Sequence, residues 1–289
     1  MTARPEENGP WGHPVPAAYG RKWRYGGGPM PEVTSYQPGT PCWIDLMVPD
    51  QRAALDFYSG LFGWEGEVGP AEAGGYAMCT LRGKPVAGVM SAQSVGEEAP
   101  PPTVWTTYFC SADAQATSEA VSRAGGTVLL PVMEVMDLGR MLVAADPLGA
   151  VFGVWQPLGF SGAGLVNEPG TLIWNELNTT DREAASAFYA EALGLESTPM
   201  EGAEGYFGIS VDGRTVGGLQ PLREGMPPEV PPHWLVYFAV EDADRVSAKV
   251  SAAGGTVLRP PYDMVAGRMS VVRDPQGAPF ALIAPRPMS

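Results

Sequence analysis

One pattern occurs twice in this sequence, and the repeat restricts the possible folds more than any other feature. The spacing between the two copies is constant across three landmarks, which indicates a duplicated unit rather than chance. The paired landmarks, each 131 positions apart, are Trp43 and Trp174, Phe57 and Phe188, and Gly63 and Gly194.

The repeat continues downstream with a spacing that falls only to 128 positions, so insertions between the copies are confined to loops. The sequence therefore predicts two similar domains. We place them at residues 39–157 and 170–286, joined by a linker at 158–169 and preceded by a Gly/Pro-rich extension at 1–38. The later repeated phrases are Ala-Gly-Gly-Thr-Val-Leu at 124–129 and 253–258, Gly-Arg-Met at 139–141 and 267–269, and Asp-Pro-x-Gly at 146–149 and 274–277.

Each copy opens with a pattern typical of a strand followed by a helix. Residues 43–48 read as a strand, and Asp50 is suited to cap a helix because its side chain accepts free backbone N–H groups. Gly63 is suited to end that helix. Two strands are predicted at 76–81 and 85–91, with room for a further short one. The apolar residues at helical spacing are Ala54, Phe57, Tyr58 and Leu61.

The same order of elements recurs in the second half of each domain, after a proline-rich loop at 99–102 or 226–232. A strand at 104–110, a helix at 113–124 and strands at 127–130, 140–145 and 151–155 complete the first domain. Helices are predicted at 181–193 and 242–253 in the second. The chain is thus predicted to be an α+β protein in which each domain contains two βαβββ modules.

These motifs together resemble the vicinal oxygen chelate superfamily, which holds glyoxalases, bleomycin- and fosfomycin-resistance proteins and extradiol dioxygenases. The resemblance covers about residues 40–285. More narrowly, the phrases at 39–46, 170–177 and 139–141 resemble tandem-domain actinobacterial members, including a mycobacterial culture-filtrate antigen and hydroxylase-like proteins. The resemblance implies two tandem glyoxalase-like domains, each with a curved mixed sheet that forms a cup.

In metal-dependent members of the superfamily, four strand positions in each cup supply His, Gln or Glu ligands. The resemblance places these positions on residues that do not ligate zinc, nickel, iron or manganese. We therefore expect no bound metal and no other cofactor. The eight positions are Trp43, Gly88, Thr106 and Gly153 in the first domain, and Trp174, Gly218, Leu235 and Ala281 in the second.

Strand alternation makes Asp45 and Glu176 the candidate catalytic residues, because each shares a face with the tryptophan two positions before it. Apolar walls would raise the pKa of such a carboxyl and suit it to general base catalysis. The alternative is a structural carboxylate held by a backbone N–H or by Arg140 or Arg268.

Large aromatic side chains opposite glycine gaps suit a flat organic ligand. For the tryptophans the alternative role is core packing, and for the arginines it is pairing with a neighbouring acid. The candidate ligand-binding residues are Trp43, Met47, Gly88, Tyr108, Arg140 and Gly153 in the first domain, and Trp174, Asn178, Gly218, Tyr237 and Arg268 in the second.

Three functions remain open at this point. The first is a metal-independent enzyme, an isomerase, lyase or hydroxylase-like protein, that acts on an aromatic or polyketide-like metabolite. The second is a protein that sequesters a drug-like compound without chemistry, as bleomycin-resistance relatives do. The third is a metal-dependent glyoxalase or dioxygenase. The two cups differ in sequence, so one could be active and the other structural.

Charge and composition narrow the possible partners to a small molecule. The chain has 18 Lys and Arg residues against 32 Asp and Glu residues. This excess of acid argues against nucleic acid and anionic membrane surfaces, which both attract basic patches. All three cysteines lie in the first domain, so a shared disulfide framework is not expected and a cytoplasmic location is predicted. We expect a monomer or a homodimer.

Overall fold

A computed structural model describes residues 32–95, 102–201, 203–222 and 230–286. The first domain contains β1 (Pro41–Val48), α1 (Gln51–Phe62), β2 (Ala77–Leu81), β3 (Lys84–Ser91), β4 (Trp105–Cys110), α2 (Ala114–Arg123), β5 (Thr127–Val135), β6 (Gly139–Ala145) and β7 (Val151–Pro157). The second contains β8 (Leu172–Thr179), α3 (Arg182–Leu193), β9 (Glu196–Pro199), β10 (Phe207–Val211), β11 (Arg214–Pro221), β12 (His233–Ala239), α4 (Ala243–Ala252), β13 (Thr256–Met264), β14 (Gly267–Arg273) and β15 (Pro279–Pro285).

Each domain forms one mixed sheet in which two modules meet at an antiparallel pair of central strands. The first sheet has the order β2-β3-β1-β4-β7-β6-β5, and the second has the order β13-β14-β15-β12-β8-β11-β10-β9. β1 is antiparallel to β4 but parallel to β3, and β4 is parallel to β7. The predicted α+β class and tandem arrangement are confirmed.

The first module of the first domain departs from the predicted βαβββ order. Among the described residues between α1 and β4, only two strands occur, β2 and β3. Glu65 forms no more than an isolated bridge with Thr80. Gly66, Gly69 and Pro70 interrupt this segment, and a proline cannot donate to a strand ladder. The second domain has the extra strand, β9, which pairs with β10.

Aspartate caps begin all four helices, as expected for Asp50. The Asp50 side chain accepts a hydrogen bond from the backbone N–H of Ala53, at 2.9 Å. Helix α1 ends at Gly63, whose φ of 75° lies in the left-handed region that favours glycine. Local sequence therefore sets the helix bounds in both domains.

Two hydrophobic cores lie between the sheets, and each is built from both domains. One core contains Leu46 and Tyr58 from the first domain together with Val246 and Phe280 from the second. The other core combines β4, α2, β6 and β7 with β8, α3 and β10. The sheets therefore pack through their helix-covered faces, and the opposite face of each sheet is left for the predicted cup.

Hydrogen bonds between the domains reinforce these cores at the Asp-Pro-x-Gly turns. The Tyr58 hydroxyl donates to Asp274 Oδ2 at 3.0 Å, and Trp105 Nε1 donates to the Tyr58 hydroxyl at 3.1 Å. The same arrangement joins Trp234, Tyr189 and Asp146, at 2.8 and 3.1 Å. Each turn thus presents a buried carboxyl group to the opposite domain.

The linker and the described start of the chain lie against the first domain. Ala163 N–H donates to the Cys42 carbonyl at 2.8 Å, and Gly164 N–H donates to the Pro85 carbonyl at 2.8 Å. The Tyr36 hydroxyl donates to the Ala163 carbonyl at 2.7 Å. The Gly/Pro-rich extension up to residue 31, with Trp11, His13, Trp23 and Tyr25, lies outside the described residues.

Candidate functional site

Strand alternation in β1 places Trp43, Asp45 and Met47 on the concave face of the first sheet. Ile44 and Leu46, on the opposite face, belong to the shared core. The same alternation in β8 places Trp174, Glu176 and Asn178 in the second cup, while Leu177 is buried in the other core. Tyr108 and Tyr237 lie on the concave faces of β4 and β12, in register with the two tryptophans.

Asp45 lies at the centre of the first cup and is partly accessible to solvent. The Tyr76 hydroxyl accepts a hydrogen bond from Trp43 Nε1 at 2.8 Å and donates a long one to Asp45 Oδ2 at 3.4 Å. The Tyr108 side chain also interacts electrostatically with the Asp45 carboxyl group. Burial raises the pKa of Asp45 to about 7, although the interactions with Tyr108 and Tyr76 oppose this rise. A carboxyl group with such a pKa is suited to proton transfer near neutral pH.

Tyrosine side chains fill the gaps that the cup glycines leave. A Cβ atom added to Gly88 would lie 1.7 Å from the Tyr76 hydroxyl oxygen. One added to Gly153 would lie 2.2 Å from Tyr108 Cδ1. The expectation that Gly88 and Gly153 leave room for a ligand is therefore corrected, because the chain's own phenols occupy that space.

Methionine side chains line the concave face around Asp45. Met47 and Met90 are in register on neighbouring strands, and Met78 is aligned with Gly88 and Asp45. Further along the sheet, Met133 pairs with Met141. Met78 is 37% exposed and Met133 is 45% exposed, so this apolar face is open to a ligand.

The linker closes one end of the first cup. The ring of Phe160 packs edge-on against the indole of Trp43, with 4.9 Å between their centroids. Trp155 Nε1 donates to the Phe160 carbonyl at 2.8 Å and fixes the position of this segment. Trp43 is therefore packed on several sides, and its role includes the core packing that was the alternative prediction.

The second cup repeats the arrangement of indole, phenols and carboxylate. Trp174 Nε1 donates to the Tyr206 hydroxyl at 2.9 Å. A Cβ atom added to Gly218 would lie 1.8 Å from that hydroxyl oxygen, so the expected gap at Gly218 is filled as well. The Tyr237 phenol interacts electrostatically with Glu176, and this interaction together with burial raises the pKa of Tyr237.

Two amide side chains surround the carboxylate of the second cup. Gln220 Nε2 donates to Glu176 Oε1 at 2.6 Å and to Asn178 Oδ1 at 3.0 Å. Asn178 Nδ2 donates to Glu176 Oε1 at 3.5 Å. Glu176 is only 2% exposed. The structure thus brings Glu176 and Asn178 together as predicted, but inside a closed hydrogen-bonded network.

The structure places Arg140 and Arg268 outside both cups, and their assignment to the ligand-binding surface is corrected. They alternate with the cup-facing methionines of β6 and β14, so their side chains point to the other face. Arg140 pairs with Glu134 at 3.0 Å. Arg268 pairs with Asp244 and lies 3.4 Å from Asp263. The alternative prediction, pairing with neighbouring acids, is confirmed.

The sequence-based site omitted several residues that the structure brings into the cups, among them Tyr76, Tyr206, Met90 and Gln220. The repeat itself contained the signal for all four. Gly75-Tyr76 aligns with Gly205-Tyr206 at a spacing of 130 positions, and Met90 aligns with Gln220 at the same spacing.

No helix in the described ranges is long and apolar enough to cross a membrane. Across the same ranges, no group of three or more His, Cys, Asp and Glu side chains could hold a metal ion.

Comparison with known proteins gives matches along both domains. The profile of the Glyoxalase/Bleomycin resistance protein/Dioxygenase superfamily matches residues 42–154 and 171–282. The chain is 44% identical over 264 residues to "Putative glyoxylase CFP32" of Mycobacterium bovis, covering 89% of this chain and 99% of that protein. It is 38% identical over 267 residues to "Anthracycline biosynthesis protein DnrV" of Streptomyces peucetius, covering 87% and 95%.

Solved structures share the fold at low sequence identity. The Mn(II)-bound glyoxalase from Novosphingobium aromaticivorans has a TM-score of 0.60 at 17% identity, covering 86% of this chain and 82% of that one. The 2,3-dioxygenase LapB from Pseudomonas sp. KL28 has a TM-score of 0.57 at 14% identity, covering 88% and 93%.

The positions that hold metal ligands in metal-dependent relatives carry other residue types in this chain. In the first cup they hold Trp43, Gly88, Thr106 and Gly153, whose only side-chain oxygen is one hydroxyl. A carboxylate introduced at Gly88 would collide with Tyr76. These residues do not fit a divalent metal ion.

Proposed function

Because this chain belongs to the Glyoxalase/Bleomycin resistance protein/Dioxygenase superfamily, we propose that its first cup binds a flat, largely apolar metabolite and moves a proton on it. Asp45 is the catalytic residue in this proposal. The proposal is carried by the position of the Asp45 carboxyl group, which accepts a hydrogen bond from the Tyr76 hydroxyl at 3.4 Å on a methionine-lined face and whose pKa is raised by burial to about 7. A group that titrates near the working pH is suited to both accept and return a proton.

The side chains around Asp45 supply the remaining parts of a proton-transfer site. Asp45 in its ionised form removes a proton from a carbon or hydroxyl of the ligand and returns it to another atom of the same molecule. The Tyr76 and Tyr108 hydroxyls then donate to the oxygen on which negative charge develops. Isomerisation and intramolecular ring opening or ring closure follow this scheme without an oxidant or reductant. Hydration follows it when a water molecule supplies the added hydroxyl group and proton.

The lining of the cup favours an aromatic or polyketide-like ligand. Thioether side chains are polarisable and contact aromatic rings favourably, and they adapt to irregular ligand shapes. Met47, Met78, Met90 and Met141 provide such a surface around Asp45. The relative named for anthracycline biosynthesis supports a substrate of this class.

We propose that the reaction needs no bound metal. In the first cup, the four ligand positions of metal-dependent relatives offer one hydroxyl group. In the second cup they hold Trp174, Gly218, Leu235 and Ala281, none of which is a metal ligand. The phenol groups of Tyr76 and Tyr108 provide the electrophilic contact to the substrate oxygen instead. A cytoplasmic monomer is the proposed working form, because both cups are completed within one chain and the three cysteines are free.

An Asp45→Asn variant tests the proposal with hydroxylated anthraquinones and related tricyclic phenols as probes. We expect wild-type protein to bind such a probe and convert it, as followed by calorimetry and mass spectrometry. Asp45→Asn keeps the shape of the cup, so it should bind the probe but lose turnover by roughly 100-fold or more. A matched Glu176→Gln variant in the second cup should retain turnover.

Sequestration without chemistry is the second candidate function, because an adaptable methionine surface also suits passive binding. Tight binding of a probe by wild-type protein with no conversion of any compound would favour sequestration. Equal turnover by wild type and Asp45→Asn would contradict the role of the carboxylate.

A further inference from the structure

The two cups share four functional positions but differ at others, including two beside the carboxylate. Both cups contain an indole, a carboxylate and two phenols, one of which directly precedes β2 or β10. Equivalent residues of the two domains are 129 to 131 positions apart. Met47 and Met90 of the first cup are replaced by Asn178 and Gln220 in the second, according to the same alignment. The shared positions are Trp43, Tyr76, Asp45 and Tyr108 in the first cup, and Trp174, Tyr206, Glu176 and Tyr237 in the second.

The methionine pair leaves Asp45 without a fixed amide donor. Met47 on β1 and Met90 on β3 form a register pair, two positions along the strands from the pair formed by Asp45 and Gly88. A thioether has no hydrogen to donate, so neither side chain holds the carboxylate in one orientation. Asp45 also remains partly accessible to solvent.

The amide pair has the opposite effect on Glu176. Gln220 Nε2 is 2.6 Å from Glu176 Oε1 and also bonds Asn178 Oδ1, so the three side chains form one connected network. Fully satisfied buried networks of this kind are rigid. Asn178 is 2% exposed and Gln220 is 8% exposed, so the network is closed to solvent.

The second cup is also covered on the side of its extra strand. Met200 and Ala203, which follow β9, pack with Tyr206, and Met264 lies against this cluster. A Cβ atom on Gly208 would lie 3.3 Å from Met200 Sδ. Gly208 pairs with Gly218 in the second sheet, and Met78 pairs with the equivalent Gly88 in the first. The exposed Met78 is therefore the counterpart of Gly208.

We propose that only the first cup is reactive, and that Asn178 and Gln220 disable the second by clamping its carboxylate. This inference rests on the proposed function for its choice of Asp45 as the reacting group. The phenols do not explain the difference, because each cup contains two of them. Tyr76 and Tyr108 interact with Asp45, and Tyr237 interacts with both Glu176 and Tyr206. Residues at the Met47 and Met90 positions therefore determine which cup can transfer protons.

Carbodiimide labelling with glycine ethyl ester, read by peptide mass spectrometry, tests the inference on the full chain without a substrate. We expect wild-type protein to be labelled at Asp45 and not at Glu176. A Met47→Asn, Met90→Gln variant should reduce labelling of Asp45 roughly tenfold, the effect of one hydrogen bond to a charged group. An Asn178→Ala, Gln220→Ala variant should make Glu176 reactive. Met136→Gln, in the exposed turn between β5 and β6, is the matched control and should leave both carboxyl groups as in wild type.

Equal labelling of both carboxyl groups in wild-type protein would overturn the inference. So would unchanged labelling of Asp45 when the two amides are introduced. Circular dichroism and thermal unfolding identify a variant that fails to fold, and the single variants Met90→Gln and Gln220→Ala then give the same comparison. Labelling is independent of turnover, so a wild type that is selectively labelled but converts no probe would contradict the proposed function and leave the clamp standing.

Discussion

Asp45 and Glu176 occupy equivalent places in the two domains, yet their neighbours give them different chemistry. Strand alternation alone was enough to place both carboxylates and both tryptophans on concave faces. It could not place Tyr76 or Tyr206, because each follows an irregular turn whose path has no periodic signal. It also could not show that these phenols fill the space beside Gly88 and Gly218.

A pH-dependent stability follows from the raised pKa of Asp45. The folded protein binds a proton up to about pH 7, whereas the unfolded chain releases it near the ordinary value for aspartate, roughly 4. The free energy of unfolding should therefore fall as pH rises between these values and level off above pH 7, by at most about 4 kcal/mol from this group.

Asp45→Asn has no proton to release, so its loss of stability between pH 5 and pH 8 should be smaller than that of wild type. Urea unfolding at both pH values measures the difference. Identical pH dependence in the two proteins would show that Asp45 is already ionised at pH 5.

The helices and most strands are encoded locally, and for this reason their bounds were predictable. Each aspartate cap and each glycine stop acts through neighbouring backbone groups. The contact between the Tyr58 hydroxyl and Asp274 joins residues 216 positions apart, and no local pattern reports it. The Asp-Pro-x-Gly motif was recognisable in the sequence, but its function as an attachment point for the opposite domain became evident only from the packing.

Removing one hydroxyl from this contact should destabilise the fold. Tyr58→Phe leaves the buried Asp274 carboxyl without one of its donors and Trp105 Nε1 without its acceptor. We expect the free energy of unfolding to fall by about 1–3 kcal/mol, the cost of leaving a buried polar group unpaired.

Tyr189→Phe should have a similar effect through Asp146. Gln115→Ala is the control, because it removes an exposed hydrogen bond to Glu119 and should change stability little. Chemical denaturation of the three variants measures the effect. A Tyr58→Phe variant as stable as Gln115→Ala would show that the contact between the domains is not stabilising.

Across the whole molecule, the two hydrophobic cores are built alike, whereas the two cups differ. Both hydrophobic cores are shared between the domains, so the chain folds around contacts that neither domain makes alone. The internal repeat predicted two cups, but not that the sheets pack through their helix-covered faces. The asymmetry arises from the linker at one end of the first cup, the added strand β9 beside the second, and the exchange of two methionines for two amides.

The titration of Asp45 is the most direct test of this account. In carbon-13 NMR spectra of the full chain, the carboxyl resonance of Asp45 is identified by its loss in Asp45→Asn. We predict that this resonance changes with a midpoint of about pH 7. A midpoint near the ordinary aspartate value, roughly 4, would mean that the carboxylate is fully ionised at neutral pH and would contradict its proposed role in proton transfer.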